Sequence, residues 1–373
     1  MKQTWKWFIL AALVFVLAAC SGEEASDSAV ATDSGQAPST ASSDTPQEKL
    51  QLTVAVPFVL GAPSGAPMWL GEGLGFFEEE GVDVEIVAIP GKPAEAIGLV
   101  VAGKADLAIS QPDALVFPLA EGNDQGLKWV FTPYQGPIFG ISVEEAGDIQ
   151  SPKDLEGKTV AMQALGAPFE TFMQANVTSD GGDASKVKTV QVGSLSAGME
   201  AMKKGDIDAF VSNQGDAAIA ALATDTVIRT LAFPGEVADG FAAGFVMNED
   251  TSDEKKEAIV RYIRGVIKSA IVAQENPDKA IEANWAMYPT SKPTENVEQA
   301  TEEAKVSLGV SVSNYKKADN GQWGYISPER WGKFVENNGL TEGIPDVNVL
   351  FDYSLLEQFN DFDEEAVRAA AKQ

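Results

Sequence analysis

The chain has 373 residues, 45% of them hydrophobic, more than one core normally organises, so two globular lobes are expected. Asp and Glu number 55 against 27 Lys and Arg, and the formal charge of −28 repels nucleic acid and anionic headgroups. Histidine is absent and Cys20 is the only cysteine, which excludes His-dependent triads, Cys–His pairs and zinc sites built on those ligands. Acidic pairs remain available for catalysis, but no spacing singles one out. No enzyme, cofactor or metal is expected.

Residues 1–20 (MKQTWKWFILAALVFVLAAC) place Lys2 and Lys6 before an apolar run and small residues before Cys20, the pattern of an export signal. The run is short for a permanent membrane helix. Leu17-Ala18-Ala19-Cys20 resembles a bacterial lipobox, which implies cleavage before Cys20 and a lipid on its sulfur. Attachment by several acyl chains would be stable where one chain is marginal. Residues 21–48 contain too few large apolar side chains to fold and read as a tether with a reach of roughly 30 Å.

The folded part opens with LQLTVAVPFV, a β-branched run over 50–59, followed by the Gly/Pro-rich loop LGAPSGAP and then a helix. Strand candidates follow at 82–89 and after Gly103-Lys-Ala-Asp106. About a hundred residues on, the pattern returns: Thr53-Val54-Ala55 is matched by Thr159-Val160-Ala161, with 187–192 as the next strand. Gly103-Lys-Ala-Asp106-Leu-Ala-Ile-Ser110-Gln111 is matched by Gly205-Asp-Ile-Asp208-Ala-Phe-Val-Ser212-Asn213. Each copy reads as a helix stopped by glycine, an aspartate in the turn, a short buried strand and a polar residue before the next helix. Each half is therefore βαβαβ, which predicts a parallel sheet with helices on its faces.

The chain must cross between the halves twice, and the extended, Pro- and Gly-bearing stretches 129–141 and 231–246 are suited to a two-strand hinge. This gives lobe 1 as 49–134 with 236–373 and lobe 2 as 135–235. The C-terminal part is mainly helical, with a core-facing stripe of Ile259, Ile263, Val266, Ile267 and Ile271. Two motif-like strings carry no chemistry. Glu156-Gly157-Lys158-Thr159 lacks the first glycine of a P-loop and leads into a strand, and Gly71-Glu-Gly73-Leu-Gly75 lacks dinucleotide spacing. Asn176-Val177-Thr178 is a glycosylation sequon by pattern alone.

WLGEGLGFFEEEGVDVEIVAIPG (69–91), GLVVAGKADLAIS (98–110), DIQSPKDLEGKTVAM (148–162), GDIDAFVS (205–212) and GYISPERWGKFVENNGL (324–340) resemble the ABC-importer binding proteins for nitrate, sulfonates, taurine and thiamine-pyrimidine precursors. The resemblance implies the type II periplasmic-binding-protein fold: α/β, two βαβ lobes joined by a two-strand hinge, with C-terminal helices. It also implies a ligand in the interlobe cleft, an ABC permease as partner, a monomer, and location outside the cytoplasm on a lipid anchor. Strand C-termini and helix N-termini favour the same cleft on physical grounds.

Four loops qualify, at 57–69, 110–113, 164–170 and 213–216. They hold no Lys or Arg but do hold Asp113, Glu170 and Asp216, which suits a solute bearing an amine or amidine. Gly166-Ala167-Pro168-Phe169-Glu170 resembles the Gly-x-Pro-x-Glu stretch of the thiamine-pyrimidine branch, where the glutamate meets an amino group. Against this, each of the three acids also falls where a helix start favours a carboxylate. Phe58, Trp69, Phe169 and Tyr134 are candidates to stack on a flat ring, although aromatic residues at loop edges also serve cores. Ser64, Ser110, Gln111, Asn213 and Gln214 are polar candidates, the last four because paired polar residues directly after a buried strand need partners. Nitrate, taurine, alkanesulfonate and riboflavin remain alternative solutes. A pyrimidine-precursor synthase is disfavoured by the missing histidine, and a sensory or adhesive lipoprotein is the third class.

Overall fold

The computed structural model describes residues 49–90, 92–163, 165, 169–234 and 240–373. The export signal, Cys20, the whole tether, Gly91, Ala164, Gly166 to Pro168 and residues 235–239 of the second crossing lie outside the described residues.

Ten strands are described: β1 Leu50–Val56, β2 Val82–Ala88, β3 Leu107–Ser110, β4 Leu127–Phe131, β5 Phe139–Glu144, β6 Thr159–Met162, β7 Lys188–Gln191, β8 Ala209–Asn213, β9 Ile228–Thr230 and β10 Gly244–Asn248. The helices in the first half of the chain are α1 Leu70–Gly73, α2 Phe76–Glu80, α3 Pro93–Val101 and α4 Asp113–Ala120, then α5 Phe169–Ser179, α6 Leu195–Lys203 and α7 Gln214–Ala223. The C-terminal part carries α8 Asp253–Glu275, α9 Pro277–Met287, α10 Val297–Ser313, α11 Pro328–Asn337, α12 Leu356–Phe359 and α13 Glu364–Ala371. Helix α8 runs longer than its apolar stripe because the Ser252 hydroxyl accepts from the Lys255 N–H and starts it early.

Two five-stranded sheets form, ordered β2-β1-β3-β10-β4 and β7-β6-β8-β5-β9. The expectation of parallel sheets needs correction. β1, β2 and β3 are parallel, as are β6, β7 and β8, but β10 runs antiparallel between β3 and β4, and β5 runs antiparallel between β8 and β9. The reason lies in the crossings. β5 follows the first crossing and β10 the second, so each enters its sheet from the hinge side and pairs against the direction of the βαβ strands.

Period-2 patterning sets which side chains face which helices. In β1, Leu52, Val54 and Val56 enter the core containing α8 while Ala55 faces α3; in β6, Val160 and Met162 pack with α5 residues while Ala161 faces α6. The sequence echo is exact down to single bonds. The Thr53 N–H donates to Asp106 Oδ2 and the Asp106 N–H to the Thr53 carbonyl, both at 2.8 Å; Thr159 and Asp208 make the same pair, again at 2.8 Å. Gly103 and Gly205 precede them at φ +64° and +74°, a conformation that a β-carbon penalises. Replacing Asp106 or Asp208 with alanine is expected to cost about 1–2 kcal/mol in urea unfolding, because a buried-edge N–H of the first sheet strand loses its acceptor. Asp106 is expected to be the costlier, since it also holds Lys255 at 2.9 Å, whereas Asp208 meets Lys158 at 3.5 Å.

The strings set aside behave accordingly. Lys158 leads into β6, and Asn176 is 1% exposed with its amide donating to the Phe172 carbonyl, which closes the sequon to glycosyl transfer.

Candidate functional site

Between the two sheets lies a cavity of about 410 Å³. Its wall is assembled from the loop after β1 (Pro57, Phe58, Ser64), the end of β3 (Ser110, Gln111), the crossings (Tyr134, Ile138, Ala243) and the start of α7 (Asn213, Gly215, Asp216). Helix α10 and the residue that follows it complete the wall with Ser307, Val310, Ser311 and Asn314. Strand C-termini and the α7 N-terminus therefore converge on it, as expected for α/β lobes.

Ser110 is 1% exposed, and its hydroxyl has no hydrogen-bond partner among the described residues. Its counterpart in the other half, Ser212, is satisfied locally by donating to the Asn213 carbonyl at 3.1 Å. A buried hydroxyl without a protein partner at a cavity wall needs one from the cavity. Asn213 caps α7 through Oδ1, which accepts from the Gly215 N–H at 2.9 Å. Its amide nitrogen makes no hydrogen bond among the described residues.

Asp216 is the only carboxylate in the wall, and no Lys or Arg side chain lines it among the described residues. Its side chain opens to the cavity, yet the surrounding protein desolvates it enough to push its carboxyl above the ordinary aspartate range. Tyr134 is 5% exposed and stands edge-on to Tyr315 with ring centroids 4.9 Å apart; burial pushes its hydroxyl up, so it stays neutral.

Of the residues singled out in the sequence, Phe58, Ser64, Ser110, Gln111, Asn213 and Asp216 come together at the cavity, with Tyr134. Trp69, Asp113, Phe169, Glu170 and Gln214 do not line it. Asp113 is exposed in the first turn of α4, where it complements the helix dipole. Phe169 packs edge-on to Phe139 at 5.2 Å, against the core of the second sheet. Glu170 occupies the first turn of α5 and has a bonding partner. The Gln214 amide donates to the carbonyls of Pro137 and Phe139, at 2.9 and 3.1 Å, and so ties α7 to the first crossing.

Trp69 has a different task. It is 1% exposed, its indole N–H donates to Asn284 Oδ1 and the Asn284 amide donates to the Gly61 carbonyl, both at 2.7 Å. This bridge anchors the loop that carries Phe58 and Ser64. Asn284→Leu is expected to lower stability by about 3 kcal/mol in urea unfolding, since it strands a buried N–H and a buried carbonyl together.

The α10 residues were not singled out from the sequence. Their signal was present as Ser307, Val310, Ser311 and Asn314, the i, i+3, i+4, i+7 spacing of one helix face, but polar side chains at that spacing are shared by any solvated face. No cluster of metal-ligating side chains, and no helix long and apolar enough to cross a membrane, occurs among the described residues.

Solved structures share this architecture. The periplasmic aliphatic sulphonate binding protein SsuA from Escherichia coli superposes with a TM-score of 0.55 at 15% identity, covering 82% of this chain and 98% of that one. The alkanesulfonate-binding protein SsuA from Xanthomonas axonopodis pv. citri, bound to MOPS, gives 0.50 at 16%, covering 84% and 98%. A putative sulfonate ABC transporter's periplasmic sulfonate-binding protein from Methylobacillus flagellatus gives 0.55 at 17%, covering 84% and 94%. At these identities the likeness establishes the fold, which is the two-lobed α/β periplasmic-binding-protein fold. No curated protein matches the chain. The family model described as NMT1/THI5 like matches residues 62–280, more than half of the sequence, and the chain belongs to that family.

Proposed function

We propose that this protein is an extracytoplasmic solute-binding protein of an ABC importer, and that its cavity takes a small nitrogen-rich organic solute, of which an aminopyrimidine of the thiamine-precursor type is the best fit. The observation that carries the reading is the charge of the wall: Asp216 alone, with no cationic side chain among the described lining residues. A cationic or strongly hydrogen-bond-donating nitrogen gains a charge-assisted partner there, while a sulfonate or nitrate would meet a like charge. Phe58 and Tyr134 supply faces for a flat ring, and the unpartnered Ser110 hydroxyl supplies a polar contact. The same reading assigns lobes 49–134 with 236–373 and 135–235, closing as a monomer on solute, docking on a permease and held at the membrane by a lipid on Cys20.

A thermal-shift screen tests it. An aminopyrimidine at about 100 times its dissociation constant should add about 2.7 kcal/mol of stability. Stabilisation by taurine, alkanesulfonates or nitrate with no response to aminopyrimidines would overturn the ligand assignment.

A further inference from the structure

Helix α10 lies outside the stretch that the family model matches, 62–280, yet it forms one wall of the cavity. It is seated firmly. Its Ser311 hydroxyl donates to the Ser64 carbonyl at 2.7 Å, and the Asn314 carbonyl just beyond its end accepts from the Gln135 N–H at 2.9 Å in the first crossing. On the other side it reaches α7, where a β-carbon at Gly215 would stand 3.8 Å from a Val310 methyl. The helix thus touches the loop after β1, the crossing and the helix that carries Asp216.

Two polar side chains of this wall are Ser307 and Asn314. Ser307 is 9% exposed, and neither its hydroxyl nor the Asn314 amide makes a hydrogen bond among the described residues. Ser307 is buried and Asn314 half-buried, and polar groups at a cavity wall are ordinarily satisfied by what fills it. Unlike Asp216 they are uncharged, so they suit a neutral group that both donates and accepts.

We propose that α10 and the residue after it carry specificity-determining side chains, with Ser307 and Asn314 reading a neutral hydroxyl or amide group on the same solute whose nitrogen meets Asp216. This rests on the solute-binding reading above. It adds that selection among related solutes is made by a segment outside the matched family region. A solute holding both groups would engage α10 and α7 together, and one lacking the neutral group would leave Ser307 and Asn314 unpaired, which is where a polar site discriminates most strongly.

Calorimetric titration of two matched pairs decides the matter: 4-aminopyrimidine against its 5-hydroxymethyl derivative, and ethanesulfonate against 2-hydroxyethanesulfonate. The protein is compared with Asn314→Leu, Ser307→Ala and, as a control on the solvent side of α10, Ser313→Ala, with melting curves confirming that each variant folds. The expected result is about a tenfold preference for the hydroxymethyl pyrimidine. Asn314→Leu should erase it and Ser307→Ala should reduce it, the unsubstituted compound binding within twofold of the original strength and Ser313→Ala changing nothing. Equal weakening of both members of a pair, or a preference that survives Asn314→Leu, would overturn the assignment and leave α10 a structural wall. If only the sulfonates bind, the nitrogen-solute reading fails, while a hydroxyl preference lost in Asn314→Leu still supports the role of α10. If neither pair binds, the solute-binding reading and the role of α10 fall together.

Discussion

Asp216→Asn is expected to weaken binding of a cationic aminopyrimidine by about tenfold: the carboxylate is exposed at the cavity, so solvent screening discounts the roughly 2–5 kcal/mol typical of a buried charge pair. The same substitution should slightly stabilise the protein without solute. The two effects have opposite signs for one reason: a carboxylate held in a partly desolvated wall is a cost until a cation arrives. The pH dependence follows. Folding raises the Asp216 pKa, so above the ordinary aspartate value the folded state holds the proton more tightly than the unfolded chain, and stability falls as pH rises through the raised value. Affinity for a cation runs the other way and is lost as pH falls through that value, at a higher pH than an ordinary aspartate would give. Titration calorimetry between pH 4 and 7, with melting curves on the free protein, reads both. Undiminished affinity in Asp216→Asn would show that the carboxylate only begins α7.

Gly244→Ala should be among the costlier small substitutions in the fold, about 3 kcal/mol in urea unfolding. A β-carbon there would overlap the Trp129 indole and stand 2.6 Å from the Phe131 carbonyl oxygen. Neither side has room. β10 is hydrogen-bonded to β3 and β4 on both edges, so the strand cannot retreat, and Trp129 is wedged edge-on to Phe241 and Trp331, at 5.9 and 5.3 Å. Overpacking of this kind usually costs about 1–3 kcal/mol, and backbone held on both edges places this site at the upper end. Because Gly244 pairs with Ser110 and Ala243 lines the cavity, solute affinity should drop as well. A loss below about 1 kcal/mol would mean that Trp129 can swing aside and that this core is looser than its packing suggests. Gly75 provides the contrast, since a β-carbon there meets nothing within 4 Å and only its φ of +82° would be penalised.

By itself the sequence determined the elements whose causes are local. Short apolar runs at β1, β3, β6 and β8 mark buried strands, and Gly103 with Asp106 and Gly205 with Asp208 predict a helix stop and a turn that the hydrogen bonds reproduce. Period and capping act over a few residues, so they are legible without knowing what lies across the fold.

Only the tertiary structure decided strand direction at the hinge and membership of the cavity. Asp113 and Asp216 stand one register position apart in the two echoed halves, each in the first turn of a helix that follows a buried strand, and no local pattern tells which of them meets a cavity. The difference is made from a distance: both carboxylates are exposed, but α10 and the crossings build a cavity wall beside Asp216, and Asp113 lies outside that wall. Trp69 and Phe58 share one loop, yet Asn284, 215 residues beyond Trp69, draws the indole into the core and leaves Phe58 at the cavity. A cavity wall is the sum of contacts between segments far apart in sequence, and each contact depends on packing that no short window of residues contains.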